Sequence, residues 1–333
     1  MTSKSLTINR MNVQHKNQST SESHASFEQV LDQMYGERRI ILDIQELPGG
    51  HQGFSGSQVC YFSVKSRDPQ GKTHQDTLVT KSAPLLERRV LDLLSRQGCA
   101  VPPVVIPNVT RDERQLIYMP FLEARPPFDL GHPQSPLTYS IADGLARIHA
   151  LNRNQPPSWL PHASDDFLSK LWLHGWHEQW EANLDHPEFA AEFGAYTARL
   201  EAAMKRFMER LEALTVEGTS LTLLAVDLIP DHIRLWRGEA CFIDWEQAAY
   251  GSLYLDLVNP FGVETALVYR DALARHGYFI PELEFMERFH EIGRYMGLRY
   301  LGYALWQWAQ GGEERRRGRW FLYYTFGLAL HGR

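Results

Sequence analysis

The 333-residue sequence predicts an α+β protein in two lobes, a small antiparallel sheet followed by a larger, mainly helical region. Three observations carry this prediction. From about Arg38 to Phe121 the apolar segments are short and β-leaning, with turn residues between several of them. Beyond Glu123 apolar residues recur at helical spacing over long stretches. One strand-and-hairpin stretch, 221–246, interrupts the helical region and carries several acids.

Residues 1–27, rich in Ser, Thr, Asn, Gln and His, read as a disordered polar extension that cannot bury enough to fold. The small lobe spans 28–118. Its strands are expected at Arg39–Leu42, Gln58–Val64, Thr77–Lys81 and Gln115–Tyr118. One helix interrupts them: Pro84 suits a first turn, Leu86, Val90, Leu91, Leu93 and Leu94 repeat at helical spacing, and Gly98 ends it. Residues 119–124 form a short connector to the large lobe, 125–333. There, helices are expected over 141–149, from Asp165 into the early 180s, over 193–214, and from Pro281 to the end. No internal repeat is present.

Composition narrows the function. With 44% hydrophobic and 12% aromatic residues the chain can bury a large core. A net charge of −6 gives no basic footprint for nucleic acid, and the run Arg315–Arg317 is too short to create one. No apolar run approaches the roughly 20 residues that span a bilayer, and there is no signal-peptide core, so no membrane partner is expected. Cys60, Cys99 and Cys241 lack paired spacing and read as reduced thiols of a cytoplasmic protein.

Leu221–Leu224 is strand-like and leads to Asp227, followed by two short strands, His232–Trp236 and Ala240–Asp244, joined by the turn Arg237–Glu239. A hairpin brings its ends together, so Asp227, His232 and Asp244 are expected to converge. Acids so placed are costly unless they hold a metal or a proton, although either Asp alone could be a turn residue or a strand-end cap. Gly53–Ser57 is a glycine loop where backbone N–H groups could approach phosphates, or simply a turn. Lys81, on an otherwise apolar strand face, needs an anionic partner. Glu87, in the first helical turn, is either that partner or an acid facing the helix dipole. Asp256 is expected to support the Asp227 loop, and His149 to be a packed structural histidine. Trp172, Trp176 and Trp180, with Asp165, Asp166, Glu178 and Glu181 nearby, could wall a cationic acceptor; a packing stripe is the expected reading, as it is for Trp306, Trp308 and Trp320.

The stretch Ala225-Val226-Asp227-Leu228-Ile229-Pro230-Asp231-His232-Ile233, then Ile243-Asp244-Trp245-Glu246, then Gly251-Ser252-Leu253-Tyr254-Leu255-Asp256-Leu257 resembles, in order and spacing, the catalytic stretch of the aminoglycoside phosphotransferase and choline kinase-like family. The resemblance runs from about Arg38 to the C-terminus. It implies a protein-kinase-like fold and an ATP-dependent enzyme that transfers a γ-phosphate to a hydroxyl of an aminoglycoside-, choline- or sugar-like acceptor. By this resemblance Asp227 is the catalytic base, while Asp244 and His232 hold the metal. Gly53, Ser55, Gly56 and Ser57 cover the phosphates, Lys81 with Glu87 binds them, and the hinge at 119–124 receives adenine at Met119 and Phe121. The implied cofactors are ATP and Mg²⁺, with Mn²⁺ as the alternative. The chain departs from the family at Ala225 (usually His), Val226 (usually Gly) and His232 (usually Asn). An imidazole is a softer ligand than an amide oxygen and suits Mn²⁺ better, with Nδ1 expected about where the amide oxygen would sit. The alternative implied by these departures is a pseudokinase that binds nucleotide without turnover. There is no Asp-Phe-Gly, Ala-Pro-Glu or activation segment, so a protein substrate is not expected. The acceptor and the oligomeric state stay open.

Overall fold

A computed structural model describes residues 23–53, 56–124, 132–163, 175–209 and 221–332. The chain divides into two compact units, and each is described by itself. The first holds residues up to Ala124 together with 234–237 and 241–246; the second holds 125–233, 238–240 and the remainder.

The first unit is built on the sheet β1 (Ile40–Gln52), β2 (Gln58–Arg67), β3 (Thr73–Ala83) and β4 (Gln115–Pro120), antiparallel in that order. All four strands fall where the sequence places them, each longer than expected, β1 and β3 most of all. The register sets Lys81 opposite Val59 of β2 and Ile117 of β4, on an interior strand. A helix at residues 23–35, α1, covers one face. Its Phe27, Val30, Leu31 and Met34 pack with Ile41, Val64, Leu78, Val105 and Tyr118. The polar extension expected through residue 27 therefore gives way to helix at 23, because Phe27, Val30, Leu31 and Met34 recur at i, i+3, i+4 and i+7 and bury one apolar stripe. Residues 1–22 lie outside the described residues. Helix α2 (Leu85–Arg96) follows β3 and begins after Pro84, as expected.

The connector forms β5 (Glu123–Ala124), which pairs with β7 (Ile233–Trp236) of the hairpin; β7 in turn pairs with β8 (Glu239–Phe242). The turn is two residues long rather than three. Arg237 and Gly238 both have positive φ, 54° and 81°, the geometry that matches strand twist in a two-residue hairpin. Strand β8 stops two residues before Asp244, whose own φ of 66° removes it from any ladder.

The second unit is helical apart from β6 (Leu221–Leu224), paired antiparallel with β9 (Ala249–Ser252). Its described helices are α3 (Pro136–Leu151), α4 (Trp176–Leu184), α5 (Pro187–Phe193), α6 (Thr197–Met208), α7 (Val263–Arg275), α8 (Glu282–Ala309) and α9 (Gly312–His331). The helix expected over 193–214 is divided by a short 3₁₀ turn at Gly194–Tyr196, and its last residues lie outside the described residues. The C-terminal run is two helices, broken where Gly311 and Gly312 take φ of 80° and 54°. Helices α8 and α9 approach so closely that a Cβ on Gly297 would lie 2.6 Å from the Thr325 carbonyl oxygen.

Trp176 and Trp180 are fully buried, their indole N–H groups directed at Met204 Sδ (3.4 Å) and Thr197 Oγ1 (3.0 Å), so they pack the core as expected. Trp172, Asp165 and Asp166 lie outside the described residues. Of the C-terminal tryptophans only Trp308 is buried; Trp306 and Trp320 are exposed, because they sit on the outer faces of α8 and α9. Among the described residues, no helix is long and apolar enough to cross a membrane.

Candidate active site

In the first unit the chemistry gathers on Lys81. Its ammonium lies 2.8 Å from Glu87 Oε1, 2.9 Å from Asp244 Oδ1 and 3.3 Å from Glu246 Oε1. Burial works against the Lys81 charge, but the fields of Glu87 and Asp244 outweigh it and hold the amine charged beyond the ordinary lysine range. Glu87 sits in the first turn of α2, yet its carboxylate points to Lys81, so the ion-pair reading wins over the helix dipole. Burial pushes the Glu87 carboxyl up to about 7; Lys81 lowers it, while Asp244 and Glu246 add to the rise. Its second oxygen is buried with no hydrogen-bond partner among the described residues. Glu87, Asp244 and Glu246 each offer an oxygen, all within 4.8 Å of one another, an arrangement that could hold a metal ion.

The glycine loop closes on itself. The Gly53 N–H donates to the Ser57 carbonyl (2.8 Å), and the Gly56 N–H to the Gly53 carbonyl (3.0 Å), with Gly56 at φ 83°. Ser55 lies outside the described residues. Ser57 is buried; its hydroxyl donates to Glu246 and accepts from Arg114 Nη1 at 2.7 Å. Arg114 also reaches Glu246 Oε2 at 3.3 Å. Neither Arg114 nor the place of Glu246 beside Lys81 was legible in the sequence, since both depend on pairing between distant segments. Met119 is buried on β4 opposite Val79. Phe121 is half exposed; its amide donates to the Thr77 carbonyl (2.9 Å) and its ring meets Tyr61.

The second unit holds Asp227. The residue before it, Val226, takes φ 67°, a left-handed conformation that a β-branched side chain adopts only when its surroundings enforce it. The enforcing group is Asp256, fully buried, whose two oxygens accept from the Ala225 N–H (2.8 Å) and the Val226 N–H (2.7 Å). The expected supporting role of Asp256 is thus borne out. His149 is buried as expected, with Nδ1 at 2.6 Å from the Tyr269 hydroxyl and Nε2 at 3.4 Å from Asp256. Arg299 of α8 donates to the Val226 carbonyl (3.1 Å).

Asp227 and His232 are brought together through the backbone. The Asp227 carbonyl accepts from the Ile229 N–H (2.9 Å) and lies 2.7 Å from His232 Nδ1. A carbonyl only accepts, so Nδ1 carries the proton and the lone pair of the neutral ring is on Nε2. The Nδ1 that the sequence places as the ligating atom is thus engaged with the Asp227 carbonyl. The Asp227 carboxylate takes the Tyr300 hydroxyl at Oδ1, 2.9 Å away. Asp244 belongs to the first unit and Asp227 to the second, so each is placed only among its own neighbours.

The sequence profile of the phosphotransferase enzyme family matches residues 72–289, more than half of the chain. Solved structures share the fold. A spectinomycin phosphotransferase in complex with ADP and spectinomycin is 12% identical, with a TM-score of 0.54 over 92% of this chain and 97% of that one. A choline kinase from Cryptosporidium parvum is 12% identical, with a TM-score of 0.54 over 86% of this chain and 88% of that one. An aminoglycoside phosphotransferase from Alicyclobacillus acidocaldarius is 16% identical, with a TM-score of 0.50 over 86% and 93%. No curated protein matches by sequence. The fold is protein-kinase-like, an antiparallel-sheet unit followed by a mainly helical one, and the chain belongs to the phosphotransferase enzyme family.

Proposed function

We propose that the protein is an ATP-dependent kinase that transfers the γ-phosphoryl group to a hydroxyl of a small molecule, aminoglycoside-, choline- or sugar-like. The observation that carries this reading is the half-buried ammonium of Lys81, held charged by Glu87 and Asp244 beside a glycine loop. Phosphoryl transfer needs mainly positioning and charge neutralisation, which this set of groups can supply. In this reading Lys81 binds the α- and β-phosphates and Glu87 fixes its direction. The loop containing Gly53, Ser55, Gly56 and Ser57 covers the phosphates, its glycines letting the backbone come close. The hinge, with Met119 and Phe121, takes the adenine. Asp227 orients the acceptor hydroxyl and accepts its proton.

The residues present fit a divalent cation. Three carboxylates (Glu87, Asp244, Glu246) face two cationic side chains (Lys81, Arg114), and one buried oxygen of Glu87 lacks a hydrogen-bond partner among the described residues. Asp244 and Glu246 would hold Mg²⁺ or Mn²⁺, with His232 as the further ligand that the family resemblance implies, and the metal would neutralise charge on the phosphate oxygens. We place the protein in the cytoplasm, which suits three free thiols.

A second reading, nucleotide binding without turnover, rests on Ala225 and His232 in place of the family's His and Asn. The two are separated by incubating the protein with γ-labelled ATP, Mg²⁺ or Mn²⁺, and a panel of amino sugars, choline, ethanolamine and neutral sugars. Label transfer that Asp227→Asn abolishes supports the kinase; ATP binding with no transfer and no hydrolysis under any condition selects the second reading.

A further inference from the structure

The Asp227 carboxylate is held by a chain of neutral donors that begins far from it in sequence. Tyr300 of α8 donates its hydroxyl to Asp227 Oδ1 (2.9 Å). The same phenol oxygen accepts from Asn259 Nδ2 at 3.0 Å. A phenol has one proton, and the amide nitrogen can only donate, so the Tyr300 proton is committed to Asp227. Burial, with the Asp227 charge behind it, raises Tyr300 above the ordinary tyrosine range, so it stays a phenol throughout the working pH range.

The same elements fix the backbone beside it. Asn259 lies three residues after Asp256, which takes the Ala225 and Val226 amides. Arg299, next to Tyr300, donates to the Val226 carbonyl and to Gln247 Oε1, each at 3.1 Å. Adjacent residues of α8 thus hold the peptide before Asp227 and the Asp227 side chain itself. Among the described residues, Oδ2 of Asp227 has no hydrogen-bond partner, so the carboxylate is fixed at one oxygen and offers the other.

From this geometry we infer that Tyr300, oriented by Asn259, is a positioning residue for Asp227: it locks Oδ1 and presents Oδ2 to the acceptor hydroxyl. The inference rests on Asp227 being the base of the proposed kinase. In the transfer step the acceptor O–H bond breaks as the oxygen–phosphorus bond forms, the proton goes to Oδ2, and the phenol proton stays on Tyr300. The bond between the γ-phosphorus and the bridging oxygen breaks, and ADP leaves with that electron pair.

The test uses the full chain with carboxyl-¹³C-labelled aspartate. The resonance missing from Asp227→Asn identifies this carboxylate, whose charged and titratable neighbours are Tyr300 and Arg299 of α8, Asp256 and His232. At constant pH, Tyr300→Phe should displace this resonance, because the carboxylate loses its hydrogen bond at Oδ1; Asn259→Ala should displace it less, and Tyr323→Phe, which loses only an exposed bond to Glu192, should not move it. In parallel, ATP hydrolysis with water as acceptor should show kcat lower by about 10-fold in Tyr300→Phe with KM for ATP unchanged. An unmoved resonance with intact turnover overturns the role of Tyr300 and spares the kinase reading. A moved resonance in a protein that never turns over ATP or transfers phosphate overturns the kinase reading, and with it the catalytic use of Tyr300.

Discussion

The surroundings of Lys81 and those of Asp227 solve opposite problems. Around Lys81 charge is in excess: three carboxylates crowd one half-buried ammonium, and burial pushes one of them, Glu87, up to about 7. Around Asp227 the direct partners are a phenol at the carboxylate and, at the carbonyl, one backbone amide and an imidazole N–H, while the charged supports, Asp256 and Arg299, act on the preceding backbone. A crowded acid cluster attracts a cation and adjusts to what binds. A single carboxylate held at one oxygen by a neutral phenol keeps a fixed direction and leaves the other oxygen to a hydroxyl. The first suits phosphate and metal, the second suits a group that must take a proton from a hydroxyl.

The comparison can be broken at either end. Asp227→Asn removes the base without changing shape, so turnover should fall by about 10³-fold while urea stability and ATP binding hold; an equal loss of ATP binding would show that Asp227 serves the nucleotide rather than the acceptor. Asp256→Ala strips two buried amides of their acceptor and releases the strained Val226, and should cost about 3 kcal/mol in urea unfolding. Gly297→Ala forces α8 away from α9, and with α8 carrying Arg299 and Tyr300 it should cost about 2 kcal/mol and lower turnover as well.

The first region should respond to pH instead. Folding raises the Glu87 carboxyl from its ordinary value of 4.5 to about 7, so between those values the folded state binds more protons than the unfolded one. Stability from this group is therefore lost as pH rises from about 4.5 towards 7. Lys81, raised in the folded state, keeps its full contribution throughout that window and loses it only at alkaline pH. Glu87→Gln should flatten the decline of stability between pH 5 and 7 relative to the unaltered chain; parallel curves would mean that Glu87 is charged in both states. The smallest expected effect is a change of metal preference. His232→Asn exchanges a nitrogen ligand for an oxygen and should shift the ratio of Mg²⁺- to Mn²⁺-supported ATP binding towards Mg²⁺ by a few-fold.

The two regions also differ in how far the sequence discloses them. Lys81, Glu87, Asp227, Asp244 and Asp256 stand in local patterns whose order and spacing survive in this chain, and the structure joins Lys81 to Glu87 and Asp244, and Asp256 to the Asp227 loop. Glu246 lies inside such a pattern, but its place beside Lys81 depends on how the hairpin returns to the sheet unit. Tyr300, Asn259 and Arg114 lie in no pattern. Each acts on a partner 57 to 132 residues away where that partner is Ser57, Asp227 or Glu246, or through Tyr300, and only the fold brings them together. Helix α1 had a signal, the apolar repeat Phe27, Val30, Leu31 and Met34, but the polar residues between them masked it. Trp306 and Trp320 cannot be told from Trp308 by residue type; the phase of two packed helices decides which of them is buried.

The most direct test of the central claim is the melting temperature of the chain and of Asp244→Asn, each measured with ATP plus Mg²⁺ and ATP plus Mn²⁺. A ligand that binds only the folded state raises Tm by mass action. A rise in the unaltered chain that Asp244→Asn loses is the predicted result and places nucleotide and metal at the Lys81 cluster. No rise with either metal, or the same rise in both proteins, would contradict it.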